Sequence, residues 1–344
     1  MMKLLFLCSS LEPGKDGVGD YTRRLAIEMQ SKGYKVMLIA INDKFVLDIP
    51  NEVEIQYLNE EKVEVWRYPS GTIKKNIQFI LSKIESYNPE IASLQFVIYG
   101  YHPKGLPFYL PKALQQLLCN YKVHIMFHEL WVGMNREASL KHKIYGRLQK
   151  KIVTQLLFKI NPSIITTNTG VYQWQLKKMG WDASILPLMS NIKNYNIGER
   201  IKNEYNIVLF GGLHRSNRIS KFIEETIIYA KESNLKLKYI FIGRNGLELK
   251  DWLYYMERYK MNFEVLGLKS EREISLILNT SHVGVVTTPK NLKDKSGVCK
   301  AYEVHNLKIV YIGEDWNVIN WNENTDSLIN VDVFDTFENL IKFN

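Results

Sequence analysis

Cysteine is scarce in this chain of 344 residues, and the three present, Cys8, Cys119 and Cys299, lie far apart. That spacing offers neither a thiolate cage for a metal nor a disulfide framework, and it favours a reducing compartment. Long apolar runs are missing as well. No stretch approaches the roughly 18 uncharged apolar residues needed to cross a bilayer, so a spanning helix is not expected. The apolar segment Leu4 to Cys8 is too short for a secretory signal core, and Leu7 stands where a lipoprotein signal wants a small residue before Cys8. A buried first strand is expected there instead. Two glycine signatures are absent too. The stretch "GKDGVGDY" is not G-x-G-x-x-G and lacks a closing Gly-Lys-Ser/Thr, which argues against a dinucleotide fingerprint and against a nucleoside triphosphatase loop. No second histidine accompanies His128 at zinc-protease spacing. No carboxylate pair or Ser/His/Asp set can be assigned by spacing.

What is present is a globular balance, 46% apolar and 24% charged, with a net charge of +9. The charge points to anionic partners: nucleic acid, acidic lipid or phosphorylated small molecules. Strand-like and helix-like segments alternate along the chain. "KLLFLCS" reads as a strand and Asp20 to Gly33 as a helix, with Asp20 able to cap it. "YKVMLIAI" and "VEVWRYP" read as strands, and "IKKNIQFILSKIESY" has the helical period. "NPEIASLQF" and "NPSIITTN" repeat one theme, an Asn-Pro turn followed by a strand. A polar, turn-rich stretch from about Ser190 to Glu204 reads as a linker, and a second alternating run follows it. The reading is α/β, with two Rossmann-like βα domains facing a central cleft: an N-terminal one over residues 1–190 and a C-terminal one over 205–331. A helical tail at 332–344 is expected to pack on either domain. Open sheets of this kind bind ligands at the carboxyl ends of their strands.

The candidate site residues sit at such strand ends. Gly17 and Gly19 precede or open a helix, where the backbone can approach an anion or a sugar; a plain surface turn is the other reading. His128 and Glu129 close the strand "KVHIMF", and two ionisable groups there are costly to bury without partners. The histidine could donate to a sugar hydroxyl or a phosphate oxygen, or be structural. In "FGGLHRSNR", Gly212 is followed by Arg215 and Arg218, whose guanidinium forks suit phosphate oxygens; a solvated basic loop is the alternative. In "DKSGVCKAYEV", Lys295 and Ser296 precede a helix opening at Gly297 and Val298, whose first N–H groups could hold two phosphates. Glu303 lies further along it, able to accept from ribose hydroxyls. Asp20 and Glu129 are the candidate acids or bases.

The ordered set "GVGDYTRRLA", "LQFVIYGYHPKGLPFYLP", "FHELW", "LPLMSNI", "FGGLHRSNR" and "KSGVCKAYEVHNLKIVY" resembles the GT-B glycosyltransferases, specifically the large retaining family 4 of bacterial polysaccharide and lipopolysaccharide enzymes. The resemblance covers most of the chain. It implies transfer of a sugar from a nucleotide-diphosphate sugar (a UDP- or GDP-sugar), held mainly by the second domain, to a glycan or lipid-diphosphate acceptor, with retention and with no metal or other cofactor required. By the same resemblance Glu303 matches the ribose-binding second glutamate of the family's E-x7-E element, while the first glutamate's place is taken by Lys295, a departure that suits diphosphate contact. His128 matches the first-domain histidine near the transferred sugar, Gly17 and Gly19 the first glycine loop, and Arg215 the diphosphate arginine. Arg218 stands in for the family's following lysine.

Other readings share some of these features. An epimerase or phosphorylase acting on sugar phosphates has the same architecture. A nucleic-acid-binding protein would fit the charge, but aromatics are not interleaved with lysine on one strand face, and nucleic acid is not expected as a partner. "SLKHKIYGRLQKKIVTQLLFKI" carries Lys141, Lys143, Arg147, Lys150, Lys151 and Lys159 beside an apolar face. It reads either as an amphipathic helix on the sheet or as a contact for acidic lipid. The expected location is the cytoplasm, with a peripheral position on the inner face of the cytoplasmic membrane left open.

Overall fold

The apolar run at the start of the chain becomes the middle of a sheet. In this computed structural model, which describes residues 1–48, 54–58, 61–314, 316–321 and 342, the chain divides into two units. One comprises Met1–Pro187 with the described residues from Asn317, the other Leu188–Trp316.

In the first unit the strands are β1 (Lys3–Cys8), β2 (Lys35–Asp43), β3 (Glu54–Leu58), β4 (Glu61–Pro69), β5 (Ile91–Phe96), β6 (Lys122–Phe127), β7 (Ile164–Thr167) and β8 (Ser184–Ile185). They pair in the order β3-β4-β2-β1-β5-β6-β7-β8. All pairings are parallel except the β3–β4 hairpin. The helices are α1 (Gly17–Ser31), α2 (Ile73–Tyr87), α3 (Leu110–Leu118), α4 (Leu140–Ile160) and α5 (Gly170–Lys177). β5 is buried along its whole length, as expected for a parallel strand covered on both faces. Helix α1 presents Tyr21, Leu25 and Met29, four residues apart, to the core. The two Asn-Pro junctions end helices α2 and α4: Asn88 and Asn161 are the C-caps, both left-handed, with φ of 51° and 48°.

Three expectations are corrected here. Helix α1 begins at Gly17 rather than Asp20, because Asp16 is the N-cap and its carboxylate accepts from the Gly19 N–H at 2.8 Å. Asp20 instead accepts from the Gly14 N–H and pairs with Arg23 inside the first turn. The strand "VEVWRYP" extends back to Glu61 and has an antiparallel partner in β3, which its polar, irregular sequence concealed.

The second unit holds β9 (Glu204–Phe210), α6 (Ile219–Glu232), β10 (Lys236–Ile242), α7 (Leu249–Arg258), β11 (Phe263–Gly267), α8 (Glu271–Thr280), β12 (Val283–Val286), a 3₁₀ segment (Lys290–Lys295), α9 (Gly297–Val304) and β13 (Lys308–Tyr311). Its sheet is parallel in the order β11-β10-β9-β12-β13. Two apolar clusters fill it, one around Phe222, Tyr239, Phe241 and Trp252, the other around Val208, Ile240, Leu278 and Tyr302. Helix α8 starts with a capping box in which Ser270 and Glu273 satisfy each other's N–H groups.

The polar stretch read as a linker lies against this second unit. Ile192 is buried in its core, and the N–H groups of Lys193 and Tyr195 bond Glu271 and Ser275 on α8. Beyond Trp316 the chain contacts the first unit: Arg136 N–H donates to the Asn317 carbonyl and Ile319 N–H to that of Met134, both at 2.9 Å. The predicted helix at 332–344 falls outside the described residues, apart from residue 342.

Candidate functional site

Each sheet has a point where strand order reverses, and loops leaving the carboxyl ends on either side of it make a natural ligand crevice. In the first unit that point is between β1 and β5. The loops there, with the ends of β2 and β4, enclose a cavity of about 350 Å³. Ser9, Ser10, Asp16, Asn42, Ser70 and His102 contribute polar groups to its wall. The lining is held in place by backbone bonds: the Asn42 amide donates to the Gly100 carbonyl at 2.8 Å and accepts from the Gly71 N–H at 2.9 Å. Burial pushes the Asp16 carboxyl upward, against the N–H groups of Gly19 and Val18 that favour its ionised form.

Gly17 and Gly19 lie in the first turn of α1, not in a free loop. Gly19 is there because nothing larger fits: a Cβ would stand 2.4 Å from the Ser10 carbonyl oxygen, whereas one on Gly17 would meet nothing within 4 Å. Asp20, the proposed acid or base, is taken up by Gly14 and Arg23. Asp16, which the sequence reading passed over, is the α1 acid that reaches the cavity wall.

His128 follows β6 and is almost fully buried. Its Nε2 lies 2.8 Å from Gln95 Oε1, and the edge of its ring meets Tyr21 of α1 at 4.9 Å between centroids. Nε2 is thus engaged by Gln95. Glu129 is half-buried in the loop that follows.

In the second unit the reversal falls between β9 and β12. The loop after β9 carries Gly211, Gly212, Arg215 and Arg218, and it is strapped to neighbouring strand ends. The His214 N–H donates to Thr287 Oγ1 at 2.8 Å, Leu213 N–H donates to the Asn245 carbonyl, and Ser216 Oγ bonds the Ile312 carbonyl. Asn245 returns its amide to the Gly211 carbonyl at 2.9 Å. Gly212, Arg215 and Arg218 are exposed on this rim, and Arg218 is the N-cap residue of α6.

Helix α9 comes to the same crevice. A Cβ on Gly211, whose φ is +79°, would sit 3.2 Å from Val298 Cγ2. Ser296 is the N-cap of α9 and its hydroxyl accepts from the Cys299 N–H, leaving Gly297 and Val298 as the first-turn positions whose N–H groups have no intrahelical acceptor. Lys295 ends the 3₁₀ segment immediately before the cap and is partly buried. Glu303, exposed on the second turn, accepts from Lys300 Nζ at 2.8 Å. The structure thus brings Gly211, Gly212, Ser296, Gly297 and Val298 to one sheet edge. Tyr302 fixes α9 there: its hydroxyl accepts from the Phe210 N–H at 2.9 Å and lies 3.1 Å from the Val208 carbonyl. A tyrosine inside an amphipathic helix gives no sign of that role in sequence. Among the described residues no group of three metal-binding side chains clusters.

No protein-family model matches the chain, and no curated protein sequence matches it. Solved structures do. The trehalose-6-phosphate protein from E. coli bound with UDP-2-fluoro glucose superposes with a TM-score of 0.56 at 10% identity, over 97% of this chain and 88% of that one. Anabaena Alr3699/HepE in complex with UDP and glucose gives 0.53 at 14% identity, over 98% and 86%. WaaG, a glycosyltransferase involved in lipopolysaccharide biosynthesis, gives 0.50 at 11% identity, over 90% and 81%. At these identities the likeness is one of fold: two Rossmann-like βα units in the GT-B architecture.

Proposed function

We propose that the protein is a glycosyltransferase that moves a sugar from a nucleotide-diphosphate sugar to a glycan or lipid-linked acceptor, with retention, in the manner of the family 4 enzymes of envelope polysaccharide synthesis. One observation carries this reading. The N-terminus of α9, the Gly211–Gly212 turn and the Arg215 loop meet at the switch point of the second unit. Unpaired N–H groups at a helix start, with cations beside them, favour a diphosphate. Lys295, Arg215 and Arg218 supply the cations, the N–H groups of Gly297 and Val298 the neutral donors, and Glu303 a carboxylate for ribose hydroxyls. Such groups stabilise the charge that builds on a departing nucleoside diphosphate. The first unit takes the acceptor in its polar cavity and offers His128. Two fold relatives support the donor class: one is bound with UDP-2-fluoro glucose and another is in complex with UDP and glucose.

An acceptor carried on lipid is favoured by α4. That helix has no acidic residue, and Leu140, Ile144, Leu148 and Phe158 are 80%, 55%, 36% and 70% exposed along a face that also carries Arg147 and Lys151. Cations interspersed with exposed apolar groups fit an anionic membrane surface. No helix among the described residues is long and apolar enough to cross a membrane, so the contact proposed is peripheral.

The reading is tested by thermal unfolding with nucleoside diphosphates. A ligand of the native state at about 100 times its Kd stabilises by about 2.7 kcal/mol, and Glu303→Ala and Arg215→Ala should each weaken the shift. No shift with any nucleoside diphosphate at millimolar concentration would overturn it. Incubation with a nucleotide sugar alone separates the epimerase alternative, which needs no acceptor.

A further inference from the structure

One of the groups that line the first-unit cavity has nothing in the protein to bond. Tyr101 is 3% exposed, and its ring is stacked on that of Phe96 at 5.9 Å between centroids. Its carbonyl accepts from the Tyr109 hydroxyl at 3.3 Å. Its own hydroxyl finds no hydrogen-bond partner among the described residues, and Tyr101 is part of the cavity wall. A buried hydroxyl without a partner is costly and rare, and beside a cavity it points to a guest that pairs it. Burial pushes this hydroxyl well above its ordinary pKa, and Cys8, Tyr109 and Asp16 add to the push, so it stays protonated and able to donate.

Asp16, on the same wall, is the complement. Its Oδ1 accepts from the Gly19 N–H at 2.8 Å, and the Val18 N–H also bonds the carboxylate. A carboxylate has about four lone-pair directions, so two backbone donors leave room for a guest. Positive charge on the wall is thin. His102 turns Nδ1 to the N–H groups of Lys104 and Leu106, at 3.1 and 3.3 Å, so that nitrogen carries no proton and the ring no charge. Lys44 is the one cation among the described lining residues; it is exposed and lies over the Phe45 ring, 5.2 Å from its centroid. An anionic guest would therefore lie against the Asp16 carboxylate with a single, solvated counter-charge. An alcohol suits the wall better, because one hydroxyl can donate to Asp16 and accept from Tyr101. Val97 and the 40% exposed Tyr99 add apolar surface for the C–H face of a ring. At about 350 Å³ the cavity is at the small end of ligand pockets, which suits one ring and not several.

We propose that the first-unit cavity binds one neutral sugar ring, with Asp16 and the Tyr101 hydroxyl bracketing a single hydroxyl of it. The pair determines specificity. It rewards an uncharged alcohol and rejects a uronic acid or a sugar phosphate, whose charge would face the Asp16 carboxylate. That the ring is the end of a glycan or lipid-linked acceptor rests on the sugar-transfer reading; that the cavity takes a neutral sugar does not.

The test is a ligand-observed NMR titration of the intact protein, without nucleotide, using the methyl glycosides of glucose, galactose, mannose and N-acetylglucosamine beside the 6-phosphates and uronic acids of the same sugars. At least one neutral glycoside should bind, and its charged counterparts should bind at least tenfold more weakly. Tyr101→Phe should raise the Kd of that glycoside about tenfold, the loss of one hydrogen bond. It should leave Tm at or above the wild-type value, because the hydroxyl removed bonds nothing in the protein. Asp16→Asn keeps a side chain able to cap α1 and should raise Kd by at least as much; should it fail to fold, Tyr101→Phe decides alone. The proposal is overturned if no neutral glycoside binds, if a charged sugar binds more tightly, or if Tyr101→Phe binds as the wild type does. A fall in Tm in Tyr101→Phe overturns it too, since that marks a hydroxyl bonded within the protein. Because the titration contains no nucleotide, a protein that binds no nucleoside diphosphate leaves this result standing, and a cavity that takes no sugar leaves the nucleotide shift untouched.

Discussion

Two glycines three residues beyond Gly14 and five beyond it look alike in sequence and are not alike in the fold. Gly19 is fixed by contact: a methyl group there would press to 2.4 Å on the Ser10 carbonyl oxygen, a backbone atom that cannot turn aside. Gly19→Ala should therefore cost about 1–3 kcal/mol and disturb the loop that forms the cavity wall. Gly17 faces open space, so Gly17→Ala should leave stability within about 1 kcal/mol of wild type. Urea unfolding of the two variants checks both, and equal stabilities would show that the close approach at Gly19 is not what selects glycine. The sequence marks the glycines but not this difference, since their reasons lie in a strand end some ten positions away. The same holds at Asp16 and Asp20. The sequence offers Asp20 as the cap; that Asp16 is the one accepting from the Gly19 N–H is decided by where the turn before it ends.

At the scale of elements the sequence was most readable where apolar period and punctuation coincide. The helical period of "IKKNIQFILSKIESY" is α2, residue for residue, and the Asn-Pro junctions mark the ends of α2 and α4. β3 was not readable because a short edge strand gains its identity from pairing with β4. α4 is the element whose two sides ask different questions. Its inner side, with Ile152, Val153, Leu156 and Leu157, is ordinary core. Its outer side is not, with Ile144 and Leu148 exposed beside Arg147 and Lys151. Sedimentation with vesicles of neutral lipid alone and of neutral plus acidic lipid should give binding only to the acidic ones, weakening with salt. A joint Ile144→Glu, Leu148→Glu change should reduce binding at least tenfold, each acidic group adding repulsion and removing apolar insertion. Equal binding to both vesicles, or none to either, would reassign this face to another partner.

The whole molecule should carry the mark of its buried imidazoles in its response to acid. The folded His124 titrates at about 3, below the ordinary 6.5, so the unfolded chain binds a proton that the folded one refuses. Its contribution is intact above about pH 6.5 and declines as pH falls toward 3, by about 2 kcal/mol at pH 5. Asp43 does not share this window: burial opposes its charge, but Arg67 and the Leu11 and Phe45 N–H groups hold it below its ordinary value, so its contribution is lost only at lower pH. Chemical unfolding at pH 7 and pH 5 should show that loss, and His124→Gln should flatten it; the same slope in both proteins would refute the assignment. Much of the molecule was legible beforehand: two βα units, the strand ends that carry the candidates, the α9 start. What was not legible is long-range. Gln95, Ser93 and Thr166 look like minor interruptions of apolar strands until register aligns them, and Tyr302 looks like core until its hydroxyl is seen clamping β9. The most direct test of the central claim is hydrogen exchange of the intact protein with and without UDP or GDP. Diphosphate held at the second unit's switch point should slow exchange at Gly297 to Cys299 and at Gly211 to Arg215. Unchanged exchange in both segments at saturating nucleotide, or protection confined to other parts of the chain, would contradict it.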